Sequence, residues 1–249
     1  MTHWPVLRRI IIGAFRSILK RSAHGRIVGG PFCGMRYVEA SQGSVYNAKI
    51  LGTYEAELHE VLRSLPSVGF GHCLDIGAGE GFYAVGLARL LRTKVTCYEL
   101  DERGQQLIRD VARLNEVAAD VDVRGGCHHA ELIAALEVEP TTPTLLVCDV
   151  ECFERVLLDP FKVPALLRCH VLVEIHDCFE PGTGQELEER FHVSHTIHRI
   201  DAREREAEDF PTGLWWSWLI PGRLKRRLMR EWRPPGMYWL WMTPNRTAK

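Results

Sequence analysis

The 249-residue sequence predicts a doubly wound α/β domain with a seven-stranded, mostly parallel sheet. Three observations lead to this fold class. Short apolar runs alternate with longer amphipathic segments from Cys73 onward. Seven of these runs have the length of strands. A glycine loop follows the first run and opens a helix, which is where open α/β sheets place a ligand site.

Strands are predicted at the apolar runs and helices between them. The predicted strands are His72–Ile76, Lys94–Glu99, Val121–Gly125, Thr144–Asp149, Val171–His176, Val193–Arg199 and Met237–Met242. The predicted helices include Phe82–Arg92, Arg103–Glu116, Ala130–Glu137 and Gln185–Phe191. Because strands and helices alternate, we expect neighbouring strands to run parallel, with helices on both faces of the sheet.

Residues 1–70 are predicted to form an N-terminal helical extension, and residues 71–249 the main domain. The extension starts with a basic amphipathic helix, VLRRIIIGAFRSILKRS, which either packs on the domain or contacts a membrane surface peripherally. A second helix is predicted over Tyr54–Leu65, ending before Pro66. A Trp-rich insertion at about residues 200–236 joins the last two strands, and its length is typical of a lid, a binding loop or a helical segment.

Composition is that of an ordinary globular protein, with 46% hydrophobic and 25% charged residues. The formal net charge of −1 shows no basic excess that would favour nucleic acid as a partner. No run reaches the ~18–20 apolar residues of a membrane span.

The eight cysteines form no CxxC pair, which favours free thiols and a cytoplasmic location. The oligomeric state is left open.

The sharpest motif is CLDIGAGEGF, in which a glycine loop follows the first strand. The loop residues are Gly77, Ala78, Gly79, Glu80 and Gly81. The glycines allow a ligand to approach the backbone closely. A dinucleotide-binding loop would have its third glycine at position 82, where this chain has Phe82.

The acids of this motif also distinguish between ligands. Asp75 and Glu80 would repel a pyrophosphate at short range. They suit S-adenosylmethionine, which has no phosphate and carries a cationic ammonium and a cationic sulfonium. The sequence therefore predicts S-adenosylmethionine as the cofactor.

Two further strand ends supply predicted contacts to this cofactor. Glu99 ends the second strand, 20 positions after Gly79, where an acid can accept hydrogen bonds from both ribose hydroxyls. The alternative for Glu99 is an ordinary exposed acid at a strand end. Cys127 and His128 follow the third strand, near the expected position of the adenine. Adjacent residues rarely face one ion, so this cluster does not predict a metal.

The predicted catalytic residues follow the fourth and fifth strands, whose carboxyl ends meet near the glycine loop. They are Asp149, Glu151, His176 and Asp177. His176 is the candidate general base for a hydroxyl acceptor, and Asp149 or Glu151 would hold the acceptor or take its proton. No metal is included in the predicted site. Three alternatives remain: His176 bonded only within the core, Asp149 as a plain strand end, or a divalent cation on Asp149, Asp177 and His176.

These motifs resemble the FkbM-type branch of the class I S-adenosylmethionine-dependent methyltransferases, whose fold is Rossmann-like. The resemblance covers roughly residues 28–245. The glycine loop is common to the whole class, whereas CDVE and VEIHD are more specific to the branch. The matching segments are Gly30–Tyr37, Leu51–Leu58, Asp75–Gly81, Tyr98–Glu99, Cys148–Glu151, Val173–Asp177, Arg190–Phe191 and Trp232–Leu240.

The resemblance implies methyl transfer to a hydroxyl group of a sugar or a natural-product-like small molecule. It also implies that Asp75, Gly77, Gly79 and Glu99 hold the cofactor. Tyr54 and Glu55 would close over its amino-acid end. The chain departs from the family pattern at Cys152, where the family has glycine. Cysteine adopts a positive φ at a higher cost than glycine, so the sequence leaves this turn open.

Three other functions fit parts of the sequence. An RNA methyltransferase would use the basic run Arg223–Arg230, but no Asn- or Asp-Pro-Pro-aromatic stretch follows the fourth strand. A non-catalytic protein would keep the cofactor pocket and use the Trp-rich segment as an interaction surface. A nicotinamide-dependent enzyme is disfavoured by the glycine spacing.

Overall fold

The computed structural model describes residues 17–19, 21–38, 45–137 and 142–245. Most of the predicted basic amphipathic helix lies outside these residues. The chain divides into two compact units. The smaller unit is Met1–His59 with Glu204–Trp232, and the larger unit is Glu60–Arg203 with Arg233–Lys249. The domain boundary predicted at residue 70 stays a prediction.

The larger unit is built on a seven-stranded sheet with the strand order 3-2-1-4-5-7-6. The strands are β1 (His72–Ile76), β2 (Lys94–Tyr98), β3 (Val121–Arg124), β4 (Thr144–Cys148), β5 (His170–Ile175), β6 (His195–Asp201) and β7 (Tyr238–Pro244). Strands β1 to β5 are parallel, and β7 runs antiparallel to both β5 and β6. This doubly wound, mostly parallel sheet confirms the predicted fold class.

From residue 45 onward, the helices of the described residues are α1 (Tyr46–Leu51), α2 (His59–Ser64), α3 (Phe82–Leu91), α4 (Glu102–Leu114), α5 (His129–Leu136), α6 (Glu154–Leu157), α7 (Thr183–Phe191) and α8 (Gly222–Leu228). Helix α4 begins where the Asp101 carboxylate accepts a hydrogen bond from the backbone N–H of Arg103. The helix predicted over Tyr54–Leu65 is shorter than expected. Glu55 has a φ of +48°, so a 3₁₀ turn precedes α2, and Pro66 lies in a second 3₁₀ turn after it.

The central strands are buried on both faces. Every residue of β1 and β4 is buried, as expected for parallel strands that are covered by helices on both sides. The strand order reverses between these two strands, because β2 and β3 follow on one side and β5 on the other. The carboxyl ends of β1 and β4 therefore border the crevice in which such sheets bind ligands.

Residues Glu204–Trp232 of the Trp-rich segment belong to the smaller unit, and they contain α8 and two 3₁₀ turns, Ala207–Asp209 and Ser217–Leu219. Trp216 is buried, and its ring N–H donates a hydrogen bond to the hydroxyl of Ser22 at 2.8 Å. Arg205 is buried as well, and it pairs with the carboxylates of Glu57 and Glu231. Within the described residues, no helix combines the length and the apolar character needed to cross a membrane.

Candidate functional site

The glycine loop and the end of β4 are locked together at the switch point of the sheet. The backbone N–H of Asp149 donates a hydrogen bond to the carbonyl of Ile76 at 2.9 Å. Gly77 has a φ of +84°, and a Cβ at this position would lie 1.6 Å from the carbonyl oxygen of Asp149. Only glycine fits here, because any side chain would clash with the backbone.

Glu99 lies against the glycine loop. One carboxylate oxygen accepts a hydrogen bond from the N–H of Gly79 at 2.7 Å, and the other accepts one from the N–H of Asp101 at 2.8 Å. Each oxygen of a carboxylate can accept a further hydrogen bond. Glu99 is therefore fixed in position and still able to accept two hydroxyl groups of a ligand.

Gly104 supports Glu99, and the sequence analysis missed it. A Cβ at this position of α4 would lie 2.8 Å from Cγ of Glu99 and 2.9 Å from the carbonyl oxygen of Gly79. The absence of a side chain lets α4 approach both the loop and the carboxylate. A glycine inside a helix is unfavourable by itself, and this was the signal that could have revealed the close approach.

Asp75 is an unusual carboxyl group, because it is buried at the end of β1. Its Oδ2 has no hydrogen-bond partner among the residues that the structure describes. Burial raises the pKa of Asp75 to about 7, against the lowering effect of the Ala84 N–H, and the charges of Asp149 and Glu99 raise it further. A cationic ligand would supply both a hydrogen-bond donor and a counter-charge to this group.

The remaining predicted cofactor contacts are less clearly defined by the geometry. Gly81 precedes α3 with a φ of +86°, next to the buried Ala78. Cys127 is half-buried, and burial raises the pKa of its thiol to about 12. His128 is exposed and caps α5, with its ring edge-on to Phe153. Their contacts with a cofactor stay predictions, as do those of Tyr54 and Glu55, which belong to the smaller unit.

His176 is the best-defined residue of the predicted catalytic set. Its side chain is only 1% exposed, and Nδ1 lies 2.7 Å from Oε1 of Glu154, which is completely buried. A carboxylate can only accept hydrogen bonds, so Nδ1 carries the proton and donates it to Glu154. In the neutral ring, Nε2 is then left with a free lone pair.

Nε2 of His176 faces carboxylates from two strand ends. It lies 3.7 Å from Oδ1 of Asp149, 3.6 Å from Oε2 of Glu151 and 4.0 Å from Oε2 of Glu174. We call His176, Asp149 and Glu151 the His176 cluster. The structure thus brings together three of the four predicted catalytic residues.

The cluster also shifts the pKa values of its members. Burial lowers the pKa of His176, but the hydrogen bond with Glu154 and the charges of Glu154, Asp149 and Glu151 outweigh burial and raise it above its ordinary value. Burial raises the pKa of Asp149, the positive charge of His176 lowers it, and Glu151 raises it again. Protons in the cluster are therefore shared between groups that respond to one another.

Asp177 does not face the cluster. One of its carboxylate oxygens accepts a hydrogen bond from the hydroxyl of Tyr238 at 2.8 Å, and the other accepts one from the N–H of Gly184 at 3.1 Å. These bonds join the end of β5 to β7 and to the first turn of α7. The catalytic role of Asp177 stays a prediction, and its contacts are those of a residue that holds strands and helix together.

Two acidic residues next to the cluster were not among the predicted site residues. Glu154 holds the ring of His176, as described above. Glu174 is 3% exposed in its side chain and accepts a hydrogen bond from Arg233 at 2.5 Å. Arg233 lies 59 positions further along the chain, so no local motif could have revealed this pair.

The turn after β4 answers the question raised by Cys152. Glu151 has a φ of +50° and Cys152 a φ of +80°, so the left-handed turn forms with cysteine in place of glycine. The carboxylate of Glu154 accepts hydrogen bonds from the N–H groups of Cys152 at 3.3 Å and Val150 at 3.4 Å. These bonds hold a strained backbone that points Glu151 toward His176.

No family model and no curated protein matches this chain. Among solved structures, it is similar to a proposed O-methyltransferase of Klebsiella pneumoniae, with a TM-score of 0.49 and 13% identity over 91% of this chain and 90% of that one. A Bacillus cereus O-methyltransferase in complex with S-adenosylhomocysteine has a TM-score of 0.44 and 17% identity, over 66% and 77% of the two chains. The O-methyltransferase TomG of Streptomyces achromogenes, in complex with S-adenosylmethionine, has a TM-score of 0.46 and 18% identity, over 60% and 74%. Similarity at this level concerns the fold alone.

Proposed function

We propose that this protein is a cytoplasmic, FkbM-type methyltransferase that uses S-adenosylmethionine to methylate a hydroxyl group of a small molecule. The observation that carries the proposal is the contact between Gly77 and Asp149. Through this contact, an acidic glycine loop directly adjoins the His176 cluster. A site for a cationic cofactor and a site for proton transfer therefore share one crevice.

The residues of the loop fit the cofactor. S-adenosylmethionine, when bound, supplies an electrophilic methyl group on a sulfonium. Glu99 retains two acceptor positions, which suit the two hydroxyls of a ribose. Asp75 has a buried oxygen without a hydrogen-bond partner in the described part of the chain, and this oxygen suits an ammonium group.

The His176 cluster fits the acceptor. A hydroxyl group must lose its proton as it is methylated, and Nε2 of His176 accepts this proton in the metal-free protein. Glu154 keeps the ring in the required tautomer and stabilises the resulting positive charge. Asp149 and Glu151 accept hydrogen bonds from further hydroxyls, which favours a sugar or another polyhydroxylated molecule as the acceptor.

Cofactor binding is tested by calorimetric titration with S-adenosylhomocysteine, with NAD⁺ as the comparison ligand. We expect micromolar binding of S-adenosylhomocysteine and none of NAD⁺. Glu99→Gln weakens that binding at least tenfold, whereas Glu102→Gln, an exposed residue on α4, leaves it unchanged. Absence of binding to the wild-type protein would contradict the proposal.

The acceptor side is tested by transfer of labelled methyl groups to a panel of hydroxylated metabolites. We expect His176→Ala to lose at least a hundredfold in turnover while keeping its affinity for S-adenosylhomocysteine, because general-base catalysis contributes about 10²–10⁴-fold. Undiminished turnover in this variant would show that Nε2 is not the base.

A further inference from the structure

We propose that the His176 cluster is a binding site for a divalent first-row transition-metal cation. The ligands are one carboxylate oxygen each of Asp149 and Glu151 and one ring nitrogen of His176, and these three atoms lie within 4.8 Å of one another. The oxygens nearest Nε2 are Oδ1 of Asp149 and Oε2 of Glu151. Imidazole nitrogen and carboxylate oxygen are the ligands that such cations take in sites with an open coordination position.

The distances are those of ligands around a common ion rather than those of hydrogen bonds. Nε2 lies 3.7 Å from the Asp149 oxygen and 3.6 Å from the Glu151 oxygen, beyond the ~2.7–3.2 Å range of N–H···O bonds. Ligands ~2.0–2.2 Å from a tetrahedral ion lie about 3.3–3.6 Å apart. The oxygens of Asp149 and Glu151 lie within 4.8 Å of each other, and the Glu151 side chain, 82% exposed, has room to move closer around an ion.

One buried ligand atom lacks a hydrogen-bond partner in the part of the chain that the structure describes, a place that the cation would take. Oδ1 of Asp149 is buried and has no hydrogen-bond partner among the described residues. Nε2 belongs to a side chain that is 1% exposed, and it points toward this oxygen. Buried polar atoms are rarely left unpaired, so such an atom indicates a site for an ion or a water molecule. One cation between these two atoms would contact both.

The second ring nitrogen of His176 is arranged as in metal sites. Nδ1 donates to the buried carboxylate of Glu154 at 2.7 Å, which directs the lone pair of Nε2 into the cluster. A carboxylate that holds the far nitrogen of a ligating histidine is the usual outer contact of such sites. This contact uses Nδ1, which is not one of the three ligand atoms, and it points to the same occupant.

The charges around His176 also favour a cation. Carboxyl groups of Asp149, Glu151, Glu154 and Glu174 lie around the ring, and Arg233 pairs with Glu174 and also acts on the charge of Asp149. Acidic groups thus outnumber this cationic side chain around one buried imidazole, where the dielectric is lower than in water. A divalent ion would offset most of this excess.

The cation has a clear task in the reaction. Three protein ligands leave room for the hydroxyl oxygen of the acceptor, and the ion would lower the pKa of that hydroxyl. In the metal-bound protein, Nε2 would be a ligand, and the acidified hydroxyl would release its proton to solvent water, which reaches the cluster beside the exposed Glu151. The task rests on the function proposed above, whereas the binding of the cation does not.

Binding is tested with Mn²⁺ alone on chelator-treated full-length protein, with the free ion followed by electron paramagnetic resonance. Mn²⁺ is preferred to Zn²⁺ because the exposed thiols of Cys33 and Cys178 would compete for the softer ion. We expect one ion per chain with a micromolar Kd. Glu151→Gln weakens binding at least tenfold, whereas Glu189→Gln, an exposed carboxylate on α7, leaves it unchanged. Equal affinity of the wild type and Glu151→Gln would overturn the inference.

A second variant tests the outer contact. Glu154→Gln, with its fold checked by circular dichroism, should weaken Mn²⁺ binding by about 10–100-fold. Unchanged affinity would remove this argument for the site. Titration with S-adenosylhomocysteine separates the two proposals. If that ligand binds and Mn²⁺ does not, the metal inference fails alone; if Mn²⁺ binds and that ligand does not, the methyltransferase proposal fails alone.

Discussion

Oε1 of Glu154 lies 2.7 Å from Nδ1 of His176, and neither side chain is more than 1% exposed. This contact decides which ring nitrogen carries the proton. In the wild type, Nδ1 is the donor and Nε2 is free for an acceptor proton or for a cation. The chemistry of the cluster therefore depends on Glu154, a residue that would contact neither the acceptor molecule nor the cation.

We predict that Glu154→Gln changes the tautomer of His176. The amide of glutamine can donate to Nδ1, and the ring proton would then move to Nε2. Nitrogen-15 NMR of the metal-free protein at high pH reports the protonated nitrogen directly. His195, whose ring contacts Ser194 and the carbonyl of Cys169, serves as the internal control and should keep its pattern. A wild-type ring protonated at Nε2 would refute this assignment.

The pKa of Asp75 predicts that affinity for S-adenosylhomocysteine depends on pH. Burial raises this pKa to about 7, so the group changes from about one-tenth to nine-tenths ionised between pH 6 and 8. The ligand's ammonium binds the carboxylate better than the neutral acid, and affinity should rise by up to about ninefold over this range. Calorimetry at several pH values measures the effect. Asp75→Asn should abolish the pH dependence, and Glu102→Gln should retain it.

The same group predicts how stability changes with pH. The folded pKa of Asp75, about 7, exceeds its ordinary value of 3.8, so the folded state holds the proton more tightly than the unfolded state. The contribution of Asp75 to stability is fully present below pH 3.8 and is lost as the pH rises through 7. Asp75→Asn, which cannot ionise, should gain stability relative to the wild type as the pH rises from 5 to 8. Urea unfolding at both pH values tests this; a constant difference would show that the pKa is not raised.

Gly104→Ala should weaken binding of S-adenosylhomocysteine about tenfold without unfolding the protein. The added Cβ would lie 2.8 Å from Cγ of Glu99, so either the carboxylate or α4 has to move. Calorimetry measures the affinity, and thermal unfolding checks the fold. Gly213→Ala is the matched control, because no atom lies within 4 Å of its added Cβ. Equal affinities in the two variants would show that the position of Glu99 does not matter for binding.

Cys152→Gly should stabilise the protein by roughly 0.5–1 kcal/mol. A left-handed backbone destabilises the folded state by about 1–2 kcal/mol when the residue has a side chain, and glycine removes this cost. Part of the stabilisation is offset, because glycine loses more conformational entropy on folding. The φ of +80° at Cys152 makes this position suitable. Chemical denaturation gives the free energy of unfolding. Cys178→Gly, at an exposed position without a positive φ, should be neutral or destabilising; equal effects would argue against strain at Cys152.

The strands of the sheet could be read from the sequence because most are buried runs. The predicted range of β1 was confirmed without change, and β2 to β5 differ by one residue at most at each end. The prediction for β6 was displaced by two residues, and Val193 is 78% exposed outside the strand. As an edge strand with four of its seven residues exposed, β6 has no continuous apolar run to mark its limits. The position of β7 between β5 and β6 had no local signal at all.

The site was predictable where a residue follows a strand directly. Asp149 and His176 come together because parallel strands end at the same edge of the sheet. Glu154 was not recognised, because its burial depends on two consecutive residues with positive φ that turn the chain back. Arg233 was missed for a different reason, since its partner Glu174 is a neighbour only after β7 has joined the sheet.

The position of β7 in the sheet has a consequence for synthesis on the ribosome. Within the part of the chain that the structure describes, strand β6 pairs only with β7, and one edge of β5 is also filled by β7. Residues 202–237 separate the two strands in sequence, and at ~5–20 residues per second they take about 2–7 s to translate. During this interval, β5 and β6 have strand edges without their final partner. Such unpaired edges aggregate with neighbouring chains and are bound by chaperones.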